Sequence, residues 1–127
     1  MKKIIIIVIC LLLCGCQNNN KLSEKRENKK INCTQKEELM MEKEKVIIID
    51  VRTPEEFAEG HIDKAINIEY DKIIDGVKNN QEITKDTHII VYCRSGNRSS
   101  IAQEKLIEAG FKNTYDLGAM SNCINNK

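Results

Sequence analysis

The chain is 127 residues long, which suits one domain, and its 20 Lys and Arg are offset by 19 Asp and Glu. That balance supplies no general electrostatic pull toward nucleic acid. With Phe57, Phe111, Tyr70, Tyr92 and Tyr115 as its aromatic residues and no Trp, the chain also offers no stacking platform for single strands, and its core must be aliphatic, rich in Ile and Val.

Met1-Lys2-Lys3 is a short basic start, followed by an unbroken apolar run from Ile4 to Leu13. Ten such residues rise only ~15 Å as a helix, about half the hydrocarbon core of a bilayer. The run therefore fits a secretory signal peptide better than a membrane span. Leu13-Cys14-Gly15-Cys16 resembles the lipobox of bacterial lipoprotein signal peptides. The resemblance implies that residues 1–15 are removed and that Cys16 becomes lipidated. The protein is then held by its acyl chains on the extracytoplasmic face of the cell membrane, each buried CH₂ contributing ~0.8 kcal/mol. A plain secretory signal or an uncleaved anchor is the alternative. After cleavage Cys33, Cys93 and Cys123 remain as thiols. An odd number outside the cytoplasm argues against a full disulfide framework and leaves at least one reactive thiol.

Gln17 to Asn32 is rich in Asn, Lys and Glu and too poor in apolar residues to fold alone. Residues 16–32 are thus expected to form a flexible lipidated tether, and residues 33–127 the folded domain. Thr34 with Glu37 suggests a capping box ahead of a short helix through Met41. Val46 to Ile49 is a β-branched run, expected as a strand buried on both faces. Thr53-Pro54-Glu55-Glu56 reads as an N-cap, a Pro at the first helical position and acids in the first turn, with Gly60 as the stop.

Ala65 to Ile68 predicts a short strand, and Tyr70 to Lys78 a helix that turns Ile73, Ile74 and Val77 inward. His88 to Tyr92 predicts a second buried strand. Ile101 to Ala109 predicts a helix ended by Gly110, and Asn113 to Leu117 a last strand. Strands alternating with helices imply an α/β fold, a central parallel sheet with helices on both faces. In such sheets ligands sit beyond the carboxyl ends of the strands.

That geometry draws attention to Tyr92-Cys93-Arg94-Ser95-Gly96-Asn97-Arg98-Ser99-Ser100. Cys93 falls where a buried strand ends, and a short loop then leads into a helix. Successive N–H groups in such a loop form an anion nest at the helix N-terminus, and Gly96 permits the tight backbone it needs. Arg94 and Arg98 add positive potential. A Cys in this setting is expected to titrate well below the ~8.5 of a free thiol, since helix N-termini and nearby cations lower it to roughly 3.5–7.5. The same nest would stabilise a persulfide anion. The competing reading is a buried, inert Cys at a strand end.

Cys93-Arg94-Ser95-Gly96-Asn97-Arg98-Ser99 resembles the active-site loop of single-domain rhodaneses. Ile49-Asp50-Val51-Arg52-Thr53-Pro54-Glu55-Glu56-Phe57, then Gly60-His61-Ile62 and Ala65-Ile66-Asn67-Ile68, is similar to the N-terminal signature of the same domain. The resemblance runs from about Ile31 to Ile124. It implies a ping-pong sulfurtransferase in which Cys93 takes the outer sulfur of thiosulfate or a related donor and passes it from a persulfide to cyanide or a thiol. Amides of Arg94, Ser95, Gly96, Asn97 and Arg98 would cradle the sulfur, and the Arg94 and Arg98 side chains would attract a small anionic donor. No metal or organic cofactor is implied, and a monomer is the expected state.

Two rivals remain. Phosphatases of related architecture place five residues between Cys and Arg, whereas four separate Cys93 from Arg98, so the loop encloses a sulfur rather than a phosphate. The other rival is an extracytoplasmic module that binds thiols or persulfides and serves a redox partner without efficient thiosulfate turnover. Cys123 keeps it open, standing about where rhodaneses carry a Trp after a Leu-Gly-Gly that here reads Leu117-Gly118-Ala119. Cys123 is a small apolar filler, a resolving thiol for Cys93, or a partner of Cys33. Asp50 and Arg52 are expected to support the loop, with a structural network favoured over substrate orientation. His61 is expected to be packed and hydrogen-bonded rather than a general base. Glu56 occupies a position where some two-domain thiosulfate enzymes carry an Arg, which points to a less anionic donor.

Overall fold

The computed structural model describes residues 29–124. The expected signal peptide, Cys16 and most of the expected tether lie outside the described residues. The elements are α1 (Cys33–Glu42), β1 (Val46–Asp50), α2 (Pro54–Glu59), β2 (Ile66–Asn67), a 3₁₀ turn (Tyr70–Lys72), α3 (Ile73–Asn79), β3 (His88–Cys93), α4 (Asn97–Glu108), β4 (Thr114–Ala119) and α5 (Ser121–Ile124). The strands form one sheet in the order β2-β1-β3-β4, with every pair parallel.

Side chains alternate across the sheet with a period of two, so each central strand feeds two cores. Ile49, Ile89, Val91 and Cys93 pack with Ile73, Val77, Ala102 and Leu106 of α3 and α4. Ile48, Ile90 and Tyr92 pack on the opposite face with Ile62 and Leu117, and Leu39, Met40 and Phe57 of α1 and α2 lean on them. The runs Val46–Ile49 and His88–Tyr92 are therefore strands of a parallel sheet covered on both sides, as their continuous apolar character predicts.

Some boundaries differ from the sequence reading. The cap of α1 is Asn32 rather than Thr34: Gln35 donates its amide to Asn32 Oδ1 and Asn32 donates its amide to Gln35 Oε1, both at 2.9 Å. The reason lies just upstream. Lys30 bridges to Asp116, Ile31 donates to Asp116 O, and Asp116 donates to Lys29 O. The residues assigned to the end of the tether thus extend the sheet at the free edge of β4, and the helix starts where that pairing ends. The predicted helix from Tyr70 divides into the 3₁₀ turn and α3.

Helix α4 starts at Asn97, four residues before the apolar periodicity begins at Ile101, because Gly96 stands in the left-handed region at φ 98° and turns the chain into it. Strand β4 carries a bulge: Val91 aligns with Asp116 and Tyr92 with Gly118, so Leu117 is the extra residue. That irregularity brings Gly118 against the loop that precedes α4, its Cα 3.8 Å from where a Cβ on Gly96 would stand. Among the described residues no helix is long and apolar enough to cross a membrane.

Candidate active site

The site is assembled where β1 and β3 end. Asp50, the last residue of β1, is fully buried. Its carboxylate accepts from Arg52 N at 2.9 Å, Arg52 Nε at 3.0 Å, Arg52 Nη2 at 2.7 Å and the Tyr92 hydroxyl at 2.8 Å. Arg52 also donates to Gly60 O, and Ile62 donates its amide to the Tyr92 oxygen. A buried carboxylate is tolerated only with this density of donors. The hydrogen bond from Arg52 to Asp50 raises the guanidinium further above its ordinary range. Burial pushes the Tyr92 phenol up, so it stays a donor to Asp50. Asp50 and Arg52 thus form the structural network that was favoured for them. Tyr92, at the end of the strand predicted from His88, is its third member.

Cys93 ends β3, and its sulfur accepts the Gly96 amide at 3.0 Å. The thiol approaches Ser99 Oγ at 3.5 Å, and Ser99 Oγ in turn donates to Gly96 O at 3.1 Å. Met120 donates its amide to Cys93 O at 2.8 Å, pinning the strand end from the β4 side. Of the expected amide cradle from Arg94 to Arg98, Gly96 supplies the hydrogen bond to sulfur. Ser99 is a further polar partner outside the expected cradle, buried in the first turn of α4, which starts before the Ile101 where the sequence pattern places it.

Two features of the loop bear on its chemistry. Cys93 has 0% exposure and lies beneath the loop of residues 94–98, its sulfur facing the Gly96 amide. Arg94, Ser95 and Asn97 are exposed on the outside of that loop. Arg98 does not offer its charge freely to an anion. It makes a two-pronged ion pair with Glu56, Nη1 to Oε2 at 2.7 Å and Nη2 to Oε1 at 3.0 Å. Glu56 Oε2 also accepts from Thr53 N and Thr53 Oγ1. The Arg98 guanidinium first, and the Thr53 amide next, hold the Glu56 carboxyl at about 2. Glu56 lies 42 positions from Arg98 in the chain, so no local pattern announces the pair.

The remaining candidates separate cleanly. Cys33 and Cys123 form a disulfide with Cα atoms 5.2 Å apart, and Cys93 is the free cysteine among the described residues. Cys123 packs with the Tyr92 face of the sheet, whereas Cys93 belongs to the α3–α4 face. The sheet stands between them, so Cys123 does not resolve Cys93. His61 is exposed, stacks on Phe57 with ring centroids 3.7 Å apart and bonds to Phe57 O through Nδ1, which fits the packed role expected of it. Beside the loop a cleft of about 480 Å³ is lined by Ser95, Gly96, Leu117, Gly118, Ala119 and Asn122, among others.

A cysteine at the end of a buried parallel strand, roofed by a glycine-turned loop and the start of a helix, is found here together with a family match. Residues 34–122 match the family described as Rhodanese-like domain. The chain belongs to the rhodanese-like family. Among curated proteins it is 30% identical over 79 residues to the thiosulfate sulfurtransferase GlpE of Pseudomonas entomophila, covering 62% of this chain and 70% of that protein. It is 38% identical over 84 residues to the adenylyltransferase and sulfurtransferase UBA4 of Candida albicans, covering 62% of this chain and 19% of that much longer protein. The human single-domain sulfurtransferase TSTD1 superposes with a TM-score of 0.69 at 18% identity, over 77% of this chain and 96% of that one, a likeness of fold. The rhodanese-like fold and the central parallel sheet expected from sequence are therefore both present.

Proposed function

We propose that this rhodanese-like domain is a sulfurtransferase that moves a sulfane sulfur through a persulfide on Cys93. The thiolate attacks the outer sulfur of a donor of the thiosulfate type. The S–S bond to Cys93 forms as the donor's S–S bond breaks, and sulfite leaves with the bonding pair. A thiophilic acceptor, cyanide or a thiol, then takes the outer sulfur and restores the thiolate. The observation that carries this reading is the 3.0 Å hydrogen bond from the Gly96 amide to Cys93 Sγ at the head of α4. An oriented N–H at a helix N-terminus favours negative charge on the sulfur it faces. The relatives named as sulfurtransferases support the same class.

Intact mass after thiosulfate treatment tests it. The wild type is expected to gain one sulfur atom and to make thiocyanate when cyanide is added, and Cys93→Ser is expected to do neither. A wild type that gains no sulfur from any sulfane donor overturns the reading. The full burial of Cys93 favours a second one, a persulfide-binding redox module that loads once and turns over slowly. Stoichiometric loading with negligible steady-state turnover would select it.

The reading extends to location. A lipid on Cys16 holds the domain on the extracytoplasmic face, and the Cys33–Cys123 disulfide supports an oxidising compartment. Cys16→Ser is expected to shift the protein from the membrane to the soluble fraction; unchanged membrane association of that variant counts against the lipid.

A further inference from the structure

Sulfane donors differ in charge, and the loop's charges are largely spoken for. Asp50 is matched by Arg52 at 2.7 Å, and Arg98 by Glu56 at 2.7 Å. Arg94 is the other cation of the loop. A dianion approaching the loop meets the Glu56 carboxylate beside the guanidinium that would otherwise draw it in. The pair is partly exposed, with the side chains 25% and 21% accessible, and the Arg98 guanidinium lies close enough to Cys93 to interact with its charge. It is also braced. Thr53 N and Oγ1 bond Glu56 Oε2, fixing the carboxylate at the head of α2 while Arg98 sits at the head of α4.

We propose that the Glu56–Arg98 pair is a charge filter on the sulfur donor, so that Cys93 is loaded by monoanionic sulfane donors, organic persulfides and thiosulfonates, in preference to dianionic thiosulfate. This rests on the sulfur-transfer reading above and narrows its donor class. For a thiosulfonate the step is the same displacement: the Cys93 thiolate takes the terminal sulfur and a sulfinate leaves with the bonding pair. Glu56 does not touch the reacting atoms; it acts through Arg98 and is a positioning residue that sets specificity.

Thiosulfate and methanethiosulfonate make a matched test, since a methyl group replaces one anionic oxygen. With cyanide as acceptor, kcat/KM for each donor is measured on wild type, Glu56→Gln and Arg98→Gln. Glutamine keeps the capping box of α2, so Glu56→Gln changes charge with little change of shape. The wild type is expected to favour methanethiosulfonate. In Glu56→Gln the ratio of thiosulfate to methanethiosulfonate is expected to rise about tenfold, carried by KM, because one unit of negative charge near the donor is gone. In Arg98→Gln the same ratio is expected to fall, because Glu56 is left without its partner.

A purely structural strap would instead lower kcat for both donors together and leave the ratio within twofold of wild type in both variants. That result overturns the charge filter while sulfur transfer stands. Failure of the wild type to accept sulfur from either donor overturns sulfur transfer itself and the filter with it.

Discussion

Glu56 joins a helix cap and an ion pair in one side chain. Its carboxylate caps α2 through Thr53 and grips Arg98 across the loop. The folded protein holds it at about 2, against an ordinary 4.5, chiefly through the Arg98 hydrogen bond. A depressed acid stabilises the fold fully above its unfolded value and loses that contribution as pH falls through the folded value. Wild type is thus expected to melt at a higher temperature than Glu56→Gln near neutrality, with the gap closing between about pH 4.5 and 2. Thermal melts of both proteins across that range check it, and a gap independent of pH would show that the ion pair adds no stability. Asp50 makes the complementary point. Its four donors come from Arg52, just after β1, and Tyr92 on β3, and the resulting frame fixes where β3 delivers Cys93.

Among the elements, the helices show where local pattern and packing agree and where they do not. Thr53-Pro54-Glu55-Glu56 announced the start of α2, and both halves of its capping box are present. Asn32 was missed as the cap of α1 because the pairing of Lys30 with Asp116, which sets the helix start, joins residues far apart in sequence.

Helix α3 carries an interior glycine, Gly76, which helix propensity alone disfavours by ~1 kcal/mol relative to Ala. The packing accounts for it: a Cβ there would press inside van der Waals contact of Ile68 Cγ2 and stand 3.1 Å from Ile68 Cδ1. Overpacking of this kind costs about 1–3 kcal/mol and outweighs the gain in propensity. Gly76→Ala is therefore expected to lower stability by about 1 kcal/mol in urea unfolding, and a stabilised variant would mean that Ile68 yields freely.

For the molecule as a whole, the disulfide is the longest-range tie. Cys33 opens α1 and Cys123 lies in α5, 90 positions apart in the chain. Closing a loop of that length restricts the unfolded chain by about 4–5 kcal/mol in the loop-entropy account. A Cys33→Ser, Cys123→Ser double variant, or wild type in reductant, is expected to unfold at a clearly lower urea midpoint. Because the bridge and Cys93 lie on opposite faces of the sheet, sulfur loading should persist in the folded variant. An unchanged midpoint would show that the unfolded chain gains little freedom when the bridge is removed.

The amino-acid sequence by itself determined the α/β class, the two buried central strands and the placing of Cys93 at the end of one of them. Those follow from periodicity, β-branching and capping residues, which act over a few neighbours. Only the tertiary structure decided that Glu56 takes Arg98, that Cys123 takes Cys33, and that Tyr92 joins Asp50 and Arg52. Each of these joins residues 40 or more positions apart. Local pattern carries no record of such distances, because the sheet order and the face each strand presents bring those partners together.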